Sequence, residues 1–265
     1  MLIVDAQIHL WNAGNPTSPW HRQIPAYLKD DALKEMDAGG VDAAILTPHT
    51  PWDPNANELC IEAARTHPDR FAILGNFALD KPESRALVDT WKLRPGMLGC
   101  RFTFIGPVQE KWPTDGTVDW LWPAAERAGL PIAMMAANFL PKVAEIAQRH
   151  PNLKLILDHL GRPRGDASPS ERWANLPEVL ALAKYPNVAM KATGAPKLLR
   201  SALPVSRHPR QPAPSLRRLR PRALVLGHRH HAHALLVASV RHAVHGGAAL
   251  AEGPRPRAGH GPCGL

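Results

Sequence analysis

Cysteine is scarce: Cys60, Cys100 and Cys263 are the only three in 265 residues, and none forms a C-x-x-C pair. That spacing excludes a disulfide framework and a zinc knuckle, and it fits a reducing cytoplasm. No apolar run approaches the ~18 residues of a membrane-spanning helix. The opening Met1-Leu2-Ile3-Val4-Asp5 lacks the basic and long apolar regions of a signal peptide. A cytoplasmic protein without a membrane partner is therefore expected. No glycine-rich turn follows the first apolar segment, which excludes a dinucleotide-binding opening.

The most informative absence is local. Residues 197–265 contain no Asp, Asn, Thr, Ile, Met, Phe, Tyr or Trp, and all eight tryptophans of the chain precede them. Eleven Arg, one Lys and one Glu give this stretch a charge of +11, so the +9 of the whole chain leaves residues 1–196 at −2. The basic character that would suggest a nucleic-acid partner is thus confined to the tail. A stretch without aromatics or Ile cannot easily supply a barrel strand and two packed helices. Three readings of it compete. It is a disordered basic arm, a metal tract at His228-Arg229-His230-His231-Ala232-His233, or a frameshifted translation of a GC-rich gene. The third explains most. Codons for residues 197–265 can be chosen so that the neighbouring frame stays open and encodes aromatics, both charge signs and a strand-like S-S-W-G-T-D. The expected organisation is therefore a barrel over 1–196 and an out-of-frame, disordered tail over 197–265.

Before residue 197, strand-like and helix-like segments alternate. Strands are expected at Leu2–Leu10, Asp42–Pro48, Phe71–Leu79, Leu98–Phe104, Pro131–Ala137, Leu153–Leu160 and Val188–Thr193. Helices are expected at Asp30–Ala38, Asn55–His67, Ser84–Lys92, Val118–Ala128, Leu140–His150 and Leu176–Lys184. Gly39-Gly40 closes the first helix. Seven such strands predict an α/β fold with a parallel sheet, a (β/α)8 TIM-type barrel whose eighth strand and flanking helices are lost or scrambled.

Polar residues collect at the ends of these strands. Asp5, Gln7 and His9 share one face of the first by period two. Arg101 and Thr103 share a face of the fourth, Asp158-His159 ends the sixth and Lys191 lies near the end of the seventh. A single strand histidine is more often a satisfied buried imidazole, and a single lysine often snorkels. Polar groups at the ends of four separate strands are harder to explain as packing. An arginine in a barrel lumen suits a carboxylate clamp.

The segments D-A-Q-I-H-L-W, G-C-R-F and L-D-H-L-G resemble the amidohydrolase-related family of metal-dependent-type TIM-barrel hydrolases. The closest likeness is to its lactone-hydrolase branch, which acts on pyrone-dicarboxylates and sugar lactones. The resemblance covers residues 1–196. It implies catalytic roles for His9 and His159, which are also the candidate metal ligands, and a substrate-carboxylate role for Arg101. Gln7, Thr103 and Lys191 complete the candidate substrate-binding set. The family pattern ends its first strand in H-x-H and its eighth in an Asp within a W-G-T-D-like motif. Here Gln7 replaces the first His, which weakens any zinc or manganese site, and the Asp is absent from the chain as written. The expected reaction is water attack on a lactone or ester of a small carboxylated substrate, with His9 and His159 polarising the carbonyl. It proceeds without a metal or with a weakly held divalent ion. The rivals are a metal-dependent decarboxylase on the same fold and a non-enzymatic basic-tail nucleic-acid binder. The tail's lack of aromatics for stacking counts against the latter.

Overall fold

The computed structural model describes residues 3–13, 23–163 and 174–191, together with the backbone strand Leu224–Val225. Seven strands follow the expected order: β1 Val4–Ile8, β2 Ala43–Leu46, β3 Phe71–Gly75, β4 Met97–Phe102, β5 Ile132–Met134, β6 Leu155–Leu157 and β7 Val188–Lys191. The helices between them are α1 Lys29–Gly39, α2 Ala56–Thr66, α3 Ser84–Thr90, α4 Trp112–Asp115, α5 Leu121–Arg127, α6 Leu140–Arg149 and α7 Leu176–Ala181. The short α4 is the one helix that the sequence pattern does not announce.

Each strand pairs in parallel with its sequence neighbour, in the order β1 through β7. A two-residue β8, Leu224–Val225, adds to β7 through Met190 and Lys191. Among the described residues it does not pair with β1, so the curled sheet is an incomplete barrel. This is the form in which the expected loss of the eighth strand is met. The proposed character of residues 197–265 otherwise lies outside the described residues.

The core lies between the outer face of the sheet and the helices. Leu46, Ile73, Cys100, Ile132, Met134, Leu155 and Leu157 face that layer and are buried. Helix α6 meets them with Leu140, Val143, Ile146 and Ala147, all buried and spaced to form one stripe. Burying each of its larger side chains contributes about 1.5–3 kcal/mol. The inner wall is different: Ile45, Ala72, Ile156 and Ala189 remain partly exposed. A closed barrel fills its lumen with such side chains, so their exposure is what an open seam produces.

Local chemistry sets the boundaries. The Asp31 carboxylate accepts the Leu28 N–H at 3.0 Å and satisfies an orphan donor at the start of α1. Gly40, at φ 66°, ends that helix with its N–H on Asp37 O. At Gly99 a Cβ would lie 2.3 Å from the Pro131 carbonyl oxygen, so only glycine lets β4 and the start of β5 approach this closely. No described helix is long and apolar enough to cross a membrane.

Candidate active site

Parallel pairing brings the C-terminal ends of all seven strands to one end of the sheet, where TIM-type barrels carry their chemistry. Gln7 and His9 arrive there from β1, Thr47 and His49 from the end of β2, and Arg101 and Thr103 from β4. Asp158 and His159 follow β6, and Lys191 ends β7.

Asp158 is the centre of this group. Its side chain is fully enclosed; Arg101 Nε donates to Oδ2 at 2.7 Å and Lys191 Nζ lies 3.0 Å from Oδ1. Burial alone would raise the Asp158 carboxyl pKa. The charges of Arg101, Lys191 and His159 overcome that and hold it well below the usual carboxylate range. Burial pushes the Lys191 ammonium pKa down, and its contact with Asp158 opposes the shift. Two cations, Arg101 and Lys191, thus flank the Asp158 carboxylate, and the partly exposed Asp5 is a further carboxylate acting on Lys191.

The expected geometry needs correction here. Lys191, a candidate substrate-binding residue, is 1% exposed, and Nζ also donates to Gln7 Oε1 at 3.3 Å. The Arg101 Nε edge is committed to Asp158, so this edge is not available to clamp a substrate. The sixth strand stops at Leu157, three residues short of the expected end. Asp158 therefore continues the inner face, and His159 sits in the following turn. His159 and Leu160 both hold left-handed backbone, at φ 54° and 60°, and Phe104, just past β4, does so at φ 47°. These are the only non-glycine residues with positive φ among the described ones, and all lie at the mouth of the sheet. Strain of about 1–3 kcal/mol per residue persists where surrounding structure enforces it, commonly at functional sites. Thr103 lies one residue beyond β4, partly exposed and outside the bonded group.

His9 has a defined setting. Its Nδ1 lies 2.6 Å from the Thr47 carbonyl oxygen and 3.0 Å from Thr47 Oγ1, while Nε2 lies 3.4 Å from Gln7 Nε2. The ring packs edge-on against Trp52 and His49, which stack on each other at 4.2 Å. Asp53 braces this wall, accepting Asn12 N–H and Asn55 N–H at 2.8 Å each. Burial would raise its pKa, but the backbone bonds from Asn12, Asn55 and Ala13 bring it down. Sequence reasoning passed over Thr47, His49 and Trp52, and noted Asp158 only as a polar strand end without a role in the site. For Asp158 the signal was the alternation Ile156, Asp158. For the others it was only the segment T-P-H-T-P-W, which reads as a loop.

The donor set does not suit a tightly held metal. Gln7 stands where the family pattern has an imidazole and offers its oxygen to the Lys191 ammonium, a fixed cation beside His9. Among the described residues no three His, Cys, Asp or Glu side chains gather as a metal-binding group.

The sequence matches the amidohydrolase family over residues 4–236. The chain belongs to that family. An L-fucono-1,5-lactonase of Burkholderia ambifaria is 23% identical over 197 residues, 72% of this chain and 67% of that protein. A zinc-bound amidohydrolase of Burkholderia multivorans has a similar fold, with a TM-score of 0.64 at 19% identity over 86% of this chain and 84% of the other. A manganese-bound 5-carboxyvanillate decarboxylase of Novosphingobium aromaticivorans aligns with a TM-score of 0.59 at 14% identity, over 86% and 85% of the two chains. This member of the amidohydrolase family is thus an enzyme, with a lactonase relative and a decarboxylase of similar fold.

Proposed function

We propose that the protein hydrolyses a lactone or ester of a small carboxylated substrate, by water attack on the carbonyl and without a tightly held metal. The observation that carries this reading is the pair of buried cations, Arg101 and Lys191, held around Asp158 where the strands end. Cations fixed at this end of the sheet attract an anionic substrate and stabilise negative charge developing on the carbonyl oxygen. His159, raised on its strained turn, and Thr103 are the groups best placed by topology to meet the carbonyl and the substrate's polar atoms. Arg101 acts through its remaining guanidinium edge. The lactonase relative supports a lactone as substrate.

We also propose that residues 197–265 are read out of frame. They contain no Asp, so the eighth-strand general base implied by the family resemblance has no counterpart in the chain as written. Loss of such a base typically costs 10²–10⁴-fold in rate. The hydrolase reading is tested by presenting sugar 1,5-lactones and pyrone-dicarboxylates to the frame-restored protein and following acid release with a pH indicator. Turnover of a carboxylated lactone is expected. Decarboxylation of an aromatic acid, with no lactone turned over, would overturn the assignment.

A further inference from the structure

Strand β3 ends in a polar residue that the site described above does not use. Along β3 the inner face carries Ala72 and Leu74, and the next residue of that period is Asn76. The glycine between them fixes the direction: a Cβ on Gly75 would lie 2.8 Å from the Trp91 ring, which sits behind the sheet just after α3. Gly75 therefore faces the helices and Asn76 the inner wall. The register pairs Leu74 with Gly99 and Gly75 with Cys100. Its next step sets Asn76 beside Arg101, on adjacent strands about 5 Å apart.

The Asn76 amide has a defined orientation. One end lies 3.0 Å from the Pro48 carbonyl oxygen, at the end of β2. A carbonyl only accepts, so that end is Nδ2 and the other is Oδ1. The nitrogen is committed to the fold and the oxygen is not. Among the described residues nothing donates to Oδ1, and Asn76 is only half-buried, so the oxygen meets solvent at the mouth of the sheet. The neighbouring Arg101 is its complement. Its Nε is held by Asp158 at 2.7 Å, and among the described residues its two terminal nitrogens have no hydrogen-bond partner. The wall thus offers a donor edge from β4 and, next to it, a lone acceptor from β3.

We propose that Asn76 binds substrate through Oδ1, accepting a hydrogen bond from a hydroxyl carried beside the carboxylate or carbonyl that the free edge of Arg101 holds. This rests on the hydrolase reading above and deepens it. An acceptor-only group repels a second carboxylate and gains nothing from a flat unsaturated ring that carries only acceptors. It selects a substrate with a hydroxyl on the carbon next to the held group.

The test is calorimetric titration of the full chain with D-gluconate, its C2 epimer D-mannonate, and the 2-deoxy acid that the two share. One epimer should bind about tenfold more tightly than the 2-deoxy acid, the effect of one hydrogen bond of ordinary strength. In Asn76→Ala that preference should vanish, while the 2-deoxy acid binds as before. Because the preference is a ratio within one protein, a smaller folded fraction does not alter it. The unmutated chain supplies a second comparison that needs no variant. Fluorine accepts but does not donate, so the 2-deoxy-2-fluoro analogue of the tighter epimer should bind no better than the 2-deoxy acid. A chain that favours neither epimer over the 2-deoxy acid would overturn the proposal. So would a fluoro analogue that binds like the hydroxy acid, or an Asn76→Ala chain that keeps the preference. A purely structural Asn76, needed only at Pro48, would weaken every acid alike. These acids are bound without turnover, so failure here remains distinct from failure of the hydrolase assignment, which the lactone panel decides.

Discussion

Replacing Asp158 by Asn removes a charge and almost nothing else, which makes it the sharpest perturbation of the site. Arg101 Nε and Lys191 Nζ stand 2.7 and 3.0 Å from its two oxygens, and their side chains are 5% and 2% exposed. At an effective dielectric constant of about 20, each contact has a gross attraction on the order of 6 kcal/mol, most of it offset by the desolvation of the ions. Removing the anion leaves two buried cations facing each other. Loss of one partner from a buried pair typically costs about 3–5 kcal/mol, out of a total stability of about 5–15 kcal/mol. Urea unfolding followed by tryptophan fluorescence should show it, because all eight tryptophans lie before residue 197. With a denaturant slope on the order of 2 kcal/mol per M, the midpoint should fall by about 2 M. Adding Lys191→Met to Asp158→Asn should recover part of the loss by removing one orphaned cation. The pH dependence has a definite sign. A carboxyl whose pKa is depressed on folding contributes fully above its unfolded value of about 4, and that contribution is lost as the pH falls toward the folded value. The decline in stability below about pH 4 should therefore be shallower in Asp158→Asn. A midpoint shift under about 0.5 M, with no rescue by Lys191→Met, would refute the account of Asp158 as the charge centre of the site.

The repeating pattern of the fold is legible because each segment obeys one period. The helix expected at Leu140–His150 forms at Leu140–Arg149, and the strand expected at Val188–Thr193 is present as Val188–Lys191 within the described residues. The period fails at the end of β6. There two distant cations draw Asp158 inward, and the chain turns through His159 and Leu160 in left-handed backbone. Neither residue type announces such a turn, which glycine or asparagine would have done. Gln7 and Lys191 were legible as polar residues at strand ends. Their meaning was not, because an amide that links an ammonium to an imidazole needs partners from two strands far apart in sequence, and sequence spacing does not measure distance across a sheet. His49 and Trp52 escaped notice for the opposite reason: their flanking prolines mark a loop, and only packing against His9 makes them a wall.

Elemental analysis of the purified frame-restored protein should find zinc or manganese well below one ion per chain. One tightly held ion would count against the cation-flanked donor set at Gln7 and favour the decarboxylase reading. Gly99→Ala should lower the thermal midpoint through overpacking worth about 1–3 kcal/mol, because the neighbour 2.3 Å from the new Cβ is the Pro131 backbone oxygen, which cannot rotate away. The tail gives the last prediction. Among the described residues, β8 is two residues long, pairs only with β7 and leaves the edge of β1 without a strand partner. An open edge of this kind templates association between chains, and the partly exposed Ile45, Ala72, Ile156 and Ala189 add apolar surface on the inner wall. The chain as written should therefore sediment in part as aggregate and turn over lactones slowly or not at all. On the proposed frame error, deleting one base near codon 197 should replace the Arg-, Pro- and His-rich tail with a sequence that has aromatics, mixed charge and a strand carrying an Asp. That single change should restore solubility and hydrolysis together, because such a strand would close the seam and return the carboxylate. A soluble, cooperatively melting and active enzyme from the unaltered sequence would show the frame to be correct, and the basic tail would then need a function of its own.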